Sequence, residues 1–320
     1  MEIKLNHQQS QLIDDLQLMS SEGRNPNTMD LDLLDTKSLL VALNKEDQKV
    51  AHVVHNAIPE ITLAVEKIVS AFSKGGRLIY VGAGTSGRLG VLDAVECPPT
   101  FSVPDNQIIA LIAGGESAMY KAVEGAEDDR LLAIAELKEY NLCKKDVVVG
   151  IAASGRTPYT ISALQYAKEI GAVAVGVACN SNSELLNVAD IAICAEVGPE
   201  ALTGSTRLKS GTAQKLILNM LTTASMVKTG KSYENLMVDV YASNEKLKAR
   251  AVRIVMQAST CDMHAATLAL AKADNNVKLA IMLVLTGLPL EEAKVLLESN
   301  HGFLRSAVNE SISDSVNMNT

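Results

Sequence analysis

Tryptophan is absent from the 320-residue chain, phenylalanine occurs three times, and aromatic residues make up only 3% of the sequence. The core must therefore be built from Ala, Val, Ile and Leu. Few rings are left to stack on bases or on bare sugar faces, so a carbohydrate ligand would need polar handles. The five cysteines, Cys97, Cys143, Cys179, Cys194 and Cys261, are odd in number and form no CxxC pair. That excludes a disulfide framework and a zinc ribbon and fits a reducing compartment. Basic charge is short as well: 29 Lys and Arg stand against 37 Asp and Glu, a net charge of -8. Such a chain offers a nucleic-acid backbone no long-range attraction, and no nucleic-acid partner is expected. Long apolar runs are missing too. Leu279 to Leu285 falls well short of the roughly 18 residues that a membrane helix needs, and Met1 to Ser10 lacks the apolar core of a signal peptide. A cytoplasmic protein without a membrane partner is expected.

What is present is the rhythm of an α/β protein. At roughly 100 to 200 residues per domain, the length allows about two domains. From Gln8 to about Ser73 the periodicity is helical, interrupted at Ser20 to Asn27. The stretch Asp30 to Asn44 suggests one buried side made of Leu31, Leu33, Leu34, Leu39 and Leu40. After Gly75 short apolar bursts alternate with helical stretches, the pattern of a parallel sheet covered on both faces. The predicted strands are Arg77 to Val81, Ile108 to Ala113, Val147 to Ala152, Ala172 to Ala178 and Ile191 to Glu196. The predicted helices between them include Ser117 to Glu139 and Pro158 to Ile170, the latter opened by a first-turn proline. A long Ala/Leu-rich helix follows from Lys209 to about Lys228, then an extended connection over Thr229 to Asp239. Helices then run from Asn244 to the end, with a glycine stop at Asn300-His301-Gly302 and a frayed tail over Ser311 to Thr320.

Two related segments, Gly82-Ala-Gly-Thr-Ser-Gly-Arg88 and Gly150-Ile-Ala-Ala-Ser-Gly-Arg156, each close a strand and open a helix. They place backbone N–H groups and hydroxyls at the carboxyl ends of strands, where open α/β sheets bind ligands. Gly82, Gly84 and Gly87 satisfy GxGxxG, so a dinucleotide enzyme is a rival reading. The acidic residue expected to close the second strand is missing, however, because that strand runs into Gly114 and Gly115. No lysine follows the glycines as a P-loop requires, and GxSxG is not matched. Ser86, Ser154 and Thr157 suit a compact phosphate held by hydroxyls and helix N-terminal amides. The alternative is that these residues merely cap helices and end strands. The histidines His7, His52, His55, His264 and His301 lie outside the turns, and His52 with His55 reads as a solvated helix face. No metal is expected.

A third polar cluster, Val197 to Lys209, leads into the long helix. Ser205 and Thr206 could cap that helix, while Glu200, Arg207 and Lys209 offer charge. Glu96 ends the helix that starts in the first turn and precedes Cys97-Pro98-Pro99, a rigid stop. Cys97 reads as small buried filler. Glu124 and Glu127, three residues apart on the predicted Ser117 to Glu139 helix, form either an acid/base pair or a solvated acidic face.

The segments LIYVGAGTSGRLGVLDAVECPPTF, LIAGGESAMYKAVEGAEDD, VVVGIAASGRTPY, VGPEALTGSTRLKSGTAQKLILNML and NLMVDVYASNEKL closely resemble the N-acetylmuramic acid 6-phosphate etherases, and the likeness runs from Asn25 to Gly302-Phe-Leu-Arg305. The resemblance implies an α/β fold with a flavodoxin-like, three-layer sugar isomerase (SIS) domain. It also implies a division into a helical lead-in over 1–55, the SIS domain over 56–243 and a ubiquitin-associated-like helical domain over 244–320, in a homodimer. The implied substrate is a small sugar phosphate, cleaved with water to N-acetylglucosamine 6-phosphate and D-lactate without a cofactor. The family's catalytic glutamates carry over to Glu96 and Glu127. Substrate contacts are expected from Thr85, Ser86, Ser154, Gly155, Thr157, Glu200, Ser205 and Lys209. A SIS-domain isomerase or a sugar-phosphate sensor would use the same turns. A sensor that regulates DNA would usually carry a basic helix-turn-helix, and neither end of the chain is basic enough for one.

Overall fold

A computed structural model describes residues 19–240 and 244–317 of the chain. The helical periodicity expected before Met19, the boundary at 243 and the last three residues lie outside that range. Two compact units are formed, Met1–Ala94 with Asn106–Thr222 and Val95–Asp105 with Thr223–Thr320.

The first unit opens with helices α1 (Thr36–Asp47), α2 (Lys49–Asn56) and α3 (Ile58–Ser73), then strand β1 (Leu78–Gly82) and helix α4 (Gly84–Phe101), within which the division between units falls. It continues with β2 (Ile108–Ile112), α5 (Arg130–Glu139), β3 (Val147–Ile151), α6 (Pro158–Ile170), β4 (Val173–Ala178), α7 (Glu184–Val188), β5 (Ile191–Cys194) and α8 (Lys209–Lys228), which passes into the second unit. All five predicted strands form, each within a residue or two of the expected ends. They make one parallel sheet in the order β2-β1-β3-β4-β5. Strands β1 and β3 are buried at every position. That is why they read as unbroken apolar bursts, since helices cover a parallel sheet on both faces. The core joins Ile79, Val81, Val148 and Ala174 of the sheet to Leu137 of α5 and Leu164 of α6.

Helix α4 lies close against β1. A Cβ on Gly87 would fall 2.6 Å from the Gly82 carbonyl oxygen and 2.7 Å from Ile112 Cγ1. Backbone and a core side chain cannot both yield, so Gly87→Ala is expected to cost about 1–3 kcal/mol, read as a lower melting temperature.

Two expectations in this unit are corrected. Ser117 to Glu139 is not one helix: 3-10 turns span Glu116–Met119 and Ala126–Asp128, and the α-helix begins only at Arg130. Gly125 adopts the left-handed conformation, at φ 75°, and Asp129 caps α5 by accepting from the amides of Leu131 and Leu132 at 2.9 and 3.0 Å. A glycine inside a helix and a good capping residue after it make a fresh start cheaper than continuation. The leucine-rich side before and on α1 is also not buried: Leu33 is 78% and Leu40 59% exposed, and the one buried side chain of α1 is Glu46. An ion pair, described below, anchors this helix in place of an apolar face.

In the second unit the connection after α8 folds back as a short antiparallel hairpin, β6 (Ser232–Tyr233) and β7 (Leu236–Met237), where a plain extended link was expected. Helices α9 (Glu245–Ser259), α10 (Met263–Lys272), α11 (Val277–Thr286), α12 (Leu290–Ser299) and α13 (Leu304–Asn317) pack around Val255, Ala266, Ile281, Ala293 and Ala307. The stop after α12 falls at His301 and Gly302, both at positive φ. The last helix continues to Asn317, beyond the expected start of fraying at Ser311.

Candidate active site

Strand order 2-1-3-4-5 places the switch in the direction of strand addition between β1 and β3, and Gly82 pairs with Ile151 at their carboxyl ends. The two repeated turns therefore emerge side by side, at the crevice where such sheets bind ligands. In the first turn α4 starts at Gly84, so the amides of Gly84, Thr85 and Ser86 precede the hydrogen-bonded turns of the helix. Thr85 is half-buried. Ser86 is buried and donates to Gln214 Oε1 at 2.9 Å. In the second turn Gly155 has φ +68°, and a Cβ there would overlap the Ser183 side chain. Ser154 Oγ accepts from the Arg156 amide at 3.3 Å. Thr157 occupies the N-cap of α6 without a side-chain capping bond, and both hydroxyl residues are half-buried.

Beside the first turn a cavity of about 210 Å³ is lined by Ala83, Gly84, Arg88, Lys121, Glu124 and Glu127. Arg88 reaches across to the loop that carries these acids, donating to the carbonyls of Ala118 at 2.7 Å and Met119 at 3.1 Å. Glu127 thus sits at the mouth of the turn on a pinned loop, exposed, and not on the helix face that spacing suggested. Glu96 lies on α4 and is exposed, while Cys97 beside it is buried. A second concavity of about 560 Å³ lies past β3 and β4, lined in part by Ser154, Arg156, Asn180, Ser183 and Glu196. Asn180 closes one side of it, bonding Ser20, the Ser21 amide and hydroxyl, and the Ala153 carbonyl at 3.0–3.3 Å.

The third cluster supports the fold. Glu200, expected to reach the substrate, is fully buried and accepts from the Lys209 amide, the Ser210 amide and the Ser210 hydroxyl, each at 2.9 Å. It is the cap of α8, the task expected of Ser205 and Thr206; Ser205 instead turns back, its amide donating to the Leu202 carbonyl at 3.1 Å. Lys209, also expected at the substrate, is 2% exposed and bonds Glu46 Oε2 at 2.8 Å. Burial pushes the Glu46 carboxyl up, but the ammonium groups of Lys209 and Lys49 outweigh it and hold the group at about 2.

Two polar groups, half-buried Asp93 and buried Gln214, had no sequence signal. Asp93 on α4 accepts from Tyr80 Oη at 2.9 Å and from Thr222 Oγ1 at 3.2 Å, and burial raises its carboxyl above the ordinary range despite those bonds. Gln214 is the other. His52 and His55 are both exposed on α2. Among the described residues no cluster of His, Cys, Asp and Glu could hold a metal, and no helix is long and apolar enough to cross a membrane.

Two family models match the chain: the N-terminal SIS domain of glucokinase regulatory protein over residues 60–168, and the SIS domain over residues 134–224. The N-acetylmuramic acid 6-phosphate etherase of Colwellia psychrerythraea is 63% identical over 302 residues, spanning 94% of this chain and 98% of the relative. The chain belongs to the N-acetylmuramic acid 6-phosphate etherase family. The etherases of Rhizobium rhizogenes and Pseudoalteromonas atlantica are 60% and 58% identical, each over 94% of this chain and 98% of theirs. The first strand-end turn falls within the first of these matches and the second turn within both.

Proposed function

We propose that this etherase cleaves the D-lactyl ether of N-acetylmuramic acid 6-phosphate with water, releasing N-acetylglucosamine 6-phosphate and D-lactate. The observation that carries the reading is its 63% identity, over nearly the whole chain, to an N-acetylmuramic acid 6-phosphate etherase. Opening of the sugar ring exposes an aldehyde at C1, which acidifies the proton on C2. A base removes that proton, the lactyl group leaves C3 with its ether oxygen, and an acid protonates the departing alkoxide. Water then adds across the new double bond, returning a proton to C2 and a hydroxyl to C3. Glu127 is assigned the base and water-activating role and Glu96 the acid role. The position of Glu127 at the mouth of the first turn supports its part.

Ser154, Gly155 and Thr157 are assigned to the phosphate and Thr85 and Ser86 to the sugar. The Thr157 hydroxyl, unused as a cap, and the adjoining α6 N-terminus support this. Phosphate binding remote from the reacting bonds lowers KM and steadies the sugar. Ser154→Ala is expected to raise KM about tenfold with little change in kcat, and a fall in kcat alone would move the phosphate away from this turn.

A homodimer is part of the proposal. Glu96 stands twelve residues beyond Gly84 on α4, and at about 1.5 Å per residue that is roughly 18 Å of helix. A site shared between two copies is part of this proposal, and the mixing of inactive variants described below tests it. The overall reading is tested by incubating the protein with N-acetylmuramic acid 6-phosphate and following lactate. Isomerised sugar without lactate would favour a SIS-type isomerase.

A further inference from the structure

Ser86 donates its hydroxyl proton to Gln214 Oε1 at 2.9 Å, in a bond between side chains that are 7% and 1% exposed. Gln214 lies on α8 one turn after Gly211, and a Cβ at Gly211 would sit 3.5 Å from Thr85 Cγ2. The start of α8 is therefore packed onto the first strand-end turn. A serine hydroxyl has one proton to give. Committed to Gln214, it leaves Ser86 only lone pairs for a ligand, which can accept from a sugar hydroxyl but cannot donate to a carbonyl, ring or ether oxygen. The other half of the same carboxamide is in difficulty too: Gln214 Nε2 is buried and has no hydrogen-bond partner. A buried orphan donor is rare in a folded protein and marks a strained or unfinished site.

One movement frees that proton and gives Nε2 a partner, while Oε1 takes the unpaired side, where an unmet carbonyl oxygen is less rare than an unmet N–H. The last torsion of a glutamine is broad and roughly two-fold, so half a turn exchanges its oxygen and nitrogen at little torsional cost. Nε2 then donates to Ser86 Oγ, and the serine proton turns outward to a ligand oxygen. We propose that Gln214 is a positioning residue: its carboxamide sets the direction of the Ser86 hydroxyl proton and reverses when an acceptor oxygen of the substrate occupies the first turn. The proposal rests on the reading that Ser86 faces the sugar phosphate. It makes the turn selective, because a ligand without an acceptor oxygen at that point gives the amide no reason to reverse.

The test is a double-mutant cycle on lactate release, with Ser86→Ala, Gln214→Met and the pair. Ser86→Ala is expected to raise KM about tenfold, and Gln214→Met about three- to tenfold with kcat within about twofold of wild type. In the Ser86→Ala background Gln214→Met should add nothing, since the glutamine acts only through that hydroxyl. Gln214→Glu keeps the bond accepted from Ser86 and cannot reverse it. It should raise KM further than Gln214→Met, and it carries the same cycle should the methionine variant fold poorly. A glutamine that merely supports packing would lower the melting temperature and leave KM unmoved. Unchanged KM in both Gln214 variants, or effects that multiply with Ser86→Ala, would overturn the proposal. If Ser86→Ala itself leaves KM unchanged, the assignment of the sugar to this turn has failed, which is a separate result.

Discussion

Alanine at Glu127 is expected to lower the rate of lactate release by about 10²–10⁴-fold, the range over which a positioned acid or base contributes. The C2 proton of an aldehyde sugar is weakly acidic and the lactyl alkoxide is a poor leaving group, so both ends of the elimination need help. Glu127→Ala should abolish both C2 deuterium uptake from D₂O and ether cleavage, because nothing removes the proton. Glu96→Ala should lose cleavage to a similar degree yet still exchange the C2 proton, since its task comes when the ether oxygen departs. Mixing the two inactive variants under conditions that exchange subunits should restore part of the activity if a site draws Glu127 and Glu96 from different copies. Deuterium uptake that survives in Glu127→Ala and vanishes in Glu96→Ala would reverse the two roles. Full activity in both variants would remove these residues from the chemistry.

The second large effect concerns stability. Lys209→Met should destabilise the fold by about 3–5 kcal/mol, because it strands the Glu46 carboxylate in a site where that side chain is 3% exposed. Lys49, itself 48% exposed, is a weaker partner. Glu46→Leu together with Lys209→Met should recover much of the loss, since a buried pair is costly to break and far less costly to replace. The same pair sets an acid dependence. With Glu46 held at about 2 against an ordinary 4.5, its contribution is complete above pH 4.5, where the carboxyl is ionised in folded and unfolded chains alike. As the pH falls from 4.5 toward 2 the unfolded chain takes up the proton first, and the contribution drains away. The shift corresponds to roughly 3 kcal/mol. Urea unfolding of wild type and Glu46→Gln across that window should show the difference between them shrinking as the pH falls. A constant difference would mean that Glu46 is not held ionised by its lysines.

The sheet was legible because each strand writes itself locally. Ile108–Ile112 and Val147–Ile151 are short apolar runs entered from polar Gln107 and Asp146 and followed within a few residues by glycine, and helix α6 announces its start with Pro158 and its end with Gly171. The pairing of the two Gly/Ser turns followed from their repetition, and the β1–β3 adjacency places them together. Local reading misled where acidic residues sat at helical spacing. Glu124 and Glu127 share a face only if the helix is continuous, and Gly125 between them takes a conformation that ends it.

By itself the sequence determined the order of strands and helices along the chain, the two hydroxyl-bearing turns and the family, since each is recorded in neighbouring residues or in motifs that can be matched directly. Only the tertiary structure decided that Glu200 caps a helix, that Lys209 is held by Glu46 from 163 positions away, and that Gln214 meets Ser86 across 128. Those partners are chosen by how the helices lie on the sheet. A buried charge or amide takes whatever donor or acceptor the packing brings within about 3 Å, and no periodicity along the chain records which residue that will be.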